Sequence, residues 1–127
     1  MHGHTVLTVG YRGLNPSTNE IEEATVLEAV MVDGQPNLLV RFSNDEEAHA
    51  PIQPAKKFQL VAGEGSSLVY RGISMGTFEE EDAPVTGVAI VKTGVTEKPC
   101  LAVKFSTEDA LVPIKPVGEF ELYGLAA

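Results

Sequence analysis

Residues 11–32 read YRGLNPSTNEIEEATVLEAVMV and residues 70–91 read YRGISMGTFEEEDAPVTGVAIV. Laid one on the other without a gap, the two stretches agree at nine of 22 positions, among them Glu20/Glu79, Ala24/Ala83, Val26/Val85 and Val32/Val91. Taken alone, 18–32 reads as a helix, with Thr18 or Asn19 as N-cap and acids in the first turn. Its twin, 77–91, carries Pro84 and Gly87, which cost about 3 and about 1 kcal/mol in a helix interior. A β-strand suits both copies, so strands are expected at 25–33 and 84–92.

The correspondence continues outward. Beyond a turn four residues longer in the second copy, Val40-Arg41-Phe42-Ser43 matches Val103-Lys104-Phe105-Ser106. After a one-residue deletion, Pro51-Ile52-Gln53-Pro54 matches Pro113-Ile114-Lys115-Pro116, and Phe58-Gln59-Leu60 matches Phe120-Glu121-Leu122. The chain therefore reads as a tandem duplication of a unit of roughly 60 residues, with units at 1–63 and 64–127 and AGEGSS (62–67) at the join. Asp33-Gly34 is a hairpin turn signal, with 93–99 as its longer equivalent, and 38–43 and 100–106 are the returning arms. Further strands are expected at 4–12, 57–62, 66–72 and 119–124. The Pro-Ile-x-Pro segments favour an extended backbone and read as crossovers. This is an all-β pattern of short strands and polar turns. Two packed, small SH3-like barrels are the first expectation. The alternative is one pseudo-twofold barrel or sandwich, because a 60-residue domain buries only about 60% of its unfolded surface.

Composition narrows the function. The 127 residues hold 9 Lys+Arg against 18 Asp+Glu, a formal charge of −9 that divides into −5 over 1–64 and −4 over 65–127. Neither a nucleic-acid backbone nor an acidic membrane is an expected partner of such a chain. No run approaches the roughly 20 apolar residues of a membrane span, and 1–13 lacks the pattern of a signal peptide, so the expected location is the cytoplasm. One cysteine, Cys100, provides no disulfide framework and no thiolate zinc cage. It reads as a core residue.

Acids carry the charge, in clusters expected between strands: Glu20, Glu22 and Glu23; Asp45, Glu46 and Glu47; Glu79, Glu80, Glu81 and Asp82; Glu108 and Asp109. They read first as solvated loops that keep the protein soluble, then as a surface for a basic partner. No calcium-loop motif accompanies them. The repeated Tyr-Arg-Gly implies a backbone of positive φ or close approach at Gly13 and Gly72, buried rings at Tyr11 and Tyr70, and Arg12 and Arg71 paired with acids of their own unit. Each arginine is also a candidate anion contact. His2-Gly3-His4 lacks the further ligands of a zinc site, no nucleophile elbow or phosphate loop is present, and no metal or cofactor is expected.

These readings converge on a non-catalytic binding or assembly module, not an enzyme, whose partner is another protein and which self-associates as a homo-oligomer. Glu20, Glu22, Glu23, Glu79, Glu80, Glu81, Asp82, Arg12 and Arg71 are the candidate binding residues. The alternative is an acidic nucleic-acid mimic that inhibits a DNA-binding protein. A ligand or hydrolytic cleft where the copies meet is the third possibility.

Overall fold

A computed structural model of the chain describes residues 4–74 and 76–125. Asp33 and Gly34 take left-handed backbone, φ 50° and 80°, the geometry of the tight turns that suit twisted hairpins. They join β2 (Glu20–Val32) to β3 (Gln35–Phe42). The equivalent hairpin joins β7 (Glu80–Thr93) to β8 (Thr96–Lys104). Its turn is only Gly94-Val95, because the extra residues expected as a long loop instead lengthen both arms, Thr93 pairing with Thr96.

The remaining strands are β1 (His4–Asn15), β4 (Glu47–Pro54), β5 (Gln59–Ala62), β6 (Leu68–Ile73), β9 (Asp109–Pro116) and β10 (Glu121–Leu125). Both Pro-Ile-x-Pro segments are strands in β4 and β9 rather than bare crossovers. Where these two meet, the ladder runs for three pairs, Ile52 with Pro116, Gln53 with Lys115 and Pro54 with Ile114. Prolines contribute no N–H to such a ladder.

Strands β1, β2, β3, β4, β9, β8 and β7 close an antiparallel barrel, with β10, β6 and β5 added to it. Closure depends on β1. Gly10 to Asn15 pair with β2, while His4 to Leu7 pair with β7. Two separately closed SH3-like barrels, the first expectation, do not form: the barrel takes β1 to β4 from one half and β7 to β9 from the other. The physical reason is one shared core. Leu38, Val40, Phe42 and Ile52 belong to the same buried cluster as Leu101, Val103, Phe105 and Ile114, and each such side chain contributes about 1.5–3 kcal/mol when fully buried.

Aromatic contacts cross between halves. Tyr11 packs on Phe42 of its own half, centroids 5.9 Å apart, and on Phe120 of the other at 5.3 Å. Tyr70 packs on Phe105 at 5.4 Å and on Phe58 at 5.0 Å. Beneath these rings lie Gly13 and Gly72, with ordinary strand backbone and not positive φ. A Cβ on either would overlap the hydroxyl of Tyr11 or Tyr70, so close approach is what requires glycine there. Registers shift between Val26 and Glu28 in β2 and between Val85 and Gly87 in β7, bulges that sharpen strand twist. Among the described residues, no helix is long and apolar enough to cross a membrane.

Candidate functional site

Strands β2 and β7 begin earlier than the expected 25 and 84, at Glu20 and Glu80. Glu20, Glu22 and Glu23, and likewise Glu80, Glu81 and Asp82, therefore stand on strands rather than in loops. Cross-strand pairing to β1 and β6 fixes their positions, with Arg12 opposite Glu23 and Arg71 opposite Asp82.

At the β1–β2 end, the fully buried amide of Asn15 organises the turn. Its Oδ1 accepts the Ser17 N–H at 2.9 Å and its Nδ2 donates to Glu22 Oε1 at 3.1 Å. Thr18 Oγ1 donates to Glu22 Oε2 at 2.7 Å. At the β6–β7 end, Ser74 is fully buried and accepts the Gly76 N–H at 3.2 Å. Thr77 Oγ1 donates to Glu81 Oε2 at 2.6 Å, and Ser106 Oγ to Glu81 Oε1 at 3.1 Å. These donors hold the Glu22 and Glu81 carboxyls below the usual carboxylate range, the Thr18 and Thr77 hydroxyls contributing most.

The two arginines are also engaged. Arg12 donates to Glu23 at 2.8 Å, and Arg71 grips both oxygens of Asp82 at 2.9 and 3.1 Å. The Arg71 hydrogen bond keeps the Asp82 carboxyl below its ordinary value. A guanidinium already held by a neighbouring carboxylate is a poor receptor for an added anion.

The candidate residues thus separate by role. Glu22, Glu23, Glu81 and Asp82 hold the hairpin ends together, whereas the side chains of Glu20, Glu79 and Glu80 make no hydrogen bond or ion pair among the described residues. The structure brings Glu79 to Asp82 together at one hairpin end and places Glu20, Glu22 and Glu23 on the other hairpin, β1–β2. Among the described residues, no three His, Cys, Asp or Glu side chains converge to hold a metal ion; the His2-Gly3 portion of the histidine motif lies outside them.

Phe78, immediately before Glu79, is the residue that the sequence reading did not single out. It is 74% exposed and holds left-handed backbone, φ 58°. Asn19 occupies the corresponding turn of β1–β2 with φ 62°, and asparagine tolerates that region far better than phenylalanine. The signal in the sequence was this replacement of a turn residue by an aromatic one. Ile73, at the end of β6, is 54% exposed and pairs with Glu80. The hairpin end consequently shows an apolar centre beside unpaired carboxylates. Comparison with protein-family models, with curated proteins and with solved structures finds no match.

Proposed function

We propose that this protein is a non-catalytic binding module that engages a protein with a basic surface through the end of its β6–β7 hairpin. The observation that carries the reading is Phe78, exposed in strained backbone beside Glu79 and Glu80. Strained φ/ψ values cluster at ligand clamps and switch regions, and an exposed aromatic ringed by polar groups is the composition of a protein interface. We also read the two halves as copies of one unit. The 59-residue offset supports this, as it relates Tyr11 to Tyr70, Asn19 to Phe78 and the β2 bulge to the β7 bulge.

A salt-sensitive complex with a histone-like basic protein, measured by light scattering on a sizing column, is the expected result. It should be lost in Glu79→Lys/Glu80→Lys and weakened in Phe78→Ala. No complex, or one indifferent to Phe78→Ala, would overturn the reading. The acid cluster itself favours a second reading, nucleic-acid mimicry, in which Phe78→Ala is silent and duplex DNA competes for the basic protein.

A further inference from the structure

We propose that the outer edge of β5 is a self-docking edge, on which β5 of a second copy of this chain pairs antiparallel. Among the described residues, strands β5 and β10 end the strand order, each with one hydrogen-bonded neighbour. Gly63 N–H donates to Ser67 O at 2.9 Å, continuing the register in which Ala62 pairs with Leu68. Hydrogen-bonded and non-hydrogen-bonded pairs alternate in an antiparallel ladder, so Leu60 and Ala62 turn their N–H and C=O groups away from β6.

The two terminal strands differ in how that outward face is covered. On β10, the outward N–H of Gly124 donates to Glu97 Oε1 at 2.8 Å, and a side-chain acceptor from β8 thereby blocks the edge. On β5 the corresponding N–H is that of Ala62, and Gly34 takes the place of Glu97 in the β2–β3 turn. Glycine supplies no acceptor. The space beside β5 is a groove of about 390 Å³ lined by Gln35, Pro36, Ile52, Pro54 and Leu60. Within β5 itself, Gln59-Leu60-Val61-Ala62 contains no charge and no proline, two of the features that guard exposed edges.

Charge selects a second copy as the occupant. Lys56 and Lys57 precede β5 and Glu64 follows it, all exposed and outside the ion pairs of the described residues. Antiparallel self-pairing with Leu60 opposite Ala62 sets the lysine end of each strand beside the Glu64 end of the other. The flanks then attract twice over, and the contact is isologous, as a twofold dimer requires.

Sedimentation of the full chain over a concentration range tests this. A dimer is expected, with its dissociation constant raised at least tenfold, about 1.4 kcal/mol, by Ala62→Pro, which removes an outward N–H that β6 does not use. Lys57→Glu and Glu64→Lys should each weaken the dimer, and the double variant should restore it, which a misfolded chain would not do. A monomer at every concentration, a dimer indifferent to Ala62→Pro and Lys57→Glu, or a double variant no better than the singles overturns the proposal. Binding of the basic protein uses the Ile73 end of β6, whereas Ala62 pairs with Leu68 at its other end, so that binding is expected to survive Ala62→Pro and the two ideas fail separately.

Discussion

Replacing Gly72 by alanine is the sharpest test of the packing. An ideal Cβ there overlaps the Tyr70 hydroxyl and lies 2.7 Å from Cζ of the same ring, so the ring must move. Tyr70 is 7% exposed and wedged between Phe58 and Phe105. Overpacking of a filled site costs about 1–3 kcal/mol, and disturbing two aromatic pairs adds about 0.5–1.5 kcal/mol for each one lost. Against this, alanine in a strand recovers about 0.5–1 kcal/mol relative to glycine. With both pairs disturbed the expected net loss is about 1–5 kcal/mol, read as a lowered urea midpoint followed by tyrosine fluorescence, since the chain has no tryptophan. Tyr70→Phe removes the oxygen nearest the new methyl, so Gly72→Ala should cost at least about 1 kcal/mol less in that background, beyond the additivity error of about 0.5 kcal/mol. Additive effects in this cycle, or a Gly72→Ala chain as stable as the parent, would refute the close-approach explanation.

Phe78→Asn should stabilise the fold by up to about 1–2 kcal/mol, the cost of left-handed backbone for an ordinary residue, and a thermal midpoint that falls would show that the ring packs usefully. Glu22, Glu81 and Asp82 have pKa values below those of the unfolded chain, so the unfolded state binds more protons in acid. Their contribution is complete above the unfolded values near about 4 and is lost as pH falls through the folded ones; Glu81→Gln should make the urea midpoint less sensitive to pH between 5 and 3, and an unaltered profile would contradict the Thr77 and Ser106 hydrogen bonds. Burial raises the Cys100 thiol above its ordinary pKa, so maleimide should label the native chain slowly and the urea-unfolded chain at once. Rapid native labelling would place Cys100 at the surface.

What could be read from the chain was whatever local chemistry decides. Pro84 and Gly87 excluded a helix at β7, and through the alignment at β2, and Asp33-Gly34 announced its turn. Arg12 and Arg71 found acids within their own halves, as charge and spacing implied. Barrel closure was not legible, because it turns on β1 changing neighbours after Leu7, and nothing local to residues 4–15 names β7 or β10 as a partner. Glu20, Glu22, Glu23, Glu80, Glu81 and Asp82 stand on strands rather than in loops for a related reason, since β1 and β6 supply the cross-strand partners that hold Glu22 and Glu81 in extended backbone, whereas Asp45, Glu46, Glu79 and Glu108 lie between strands as expected. Phe78 escaped notice because its exposure follows from the left-handed turn, which hydrophobicity alone argues against.

The division of the barrel between halves has a consequence for how the chain reaches its native state. Thr8 pairs with Leu125, 117 positions away, and Leu7 with Ile90. Contacts of such sequence separation place the molecule among slow folders, in the range of milliseconds to seconds. During synthesis the first half can make its β2–β3 hairpin early, yet Tyr11 lacks Phe120, and the edge of β1 that β7 and β10 share is completed only when β10 is made. The nascent first half therefore carries an open strand edge and an uncovered aromatic ring until the second half is made, which is when such chains are most prone to aggregate.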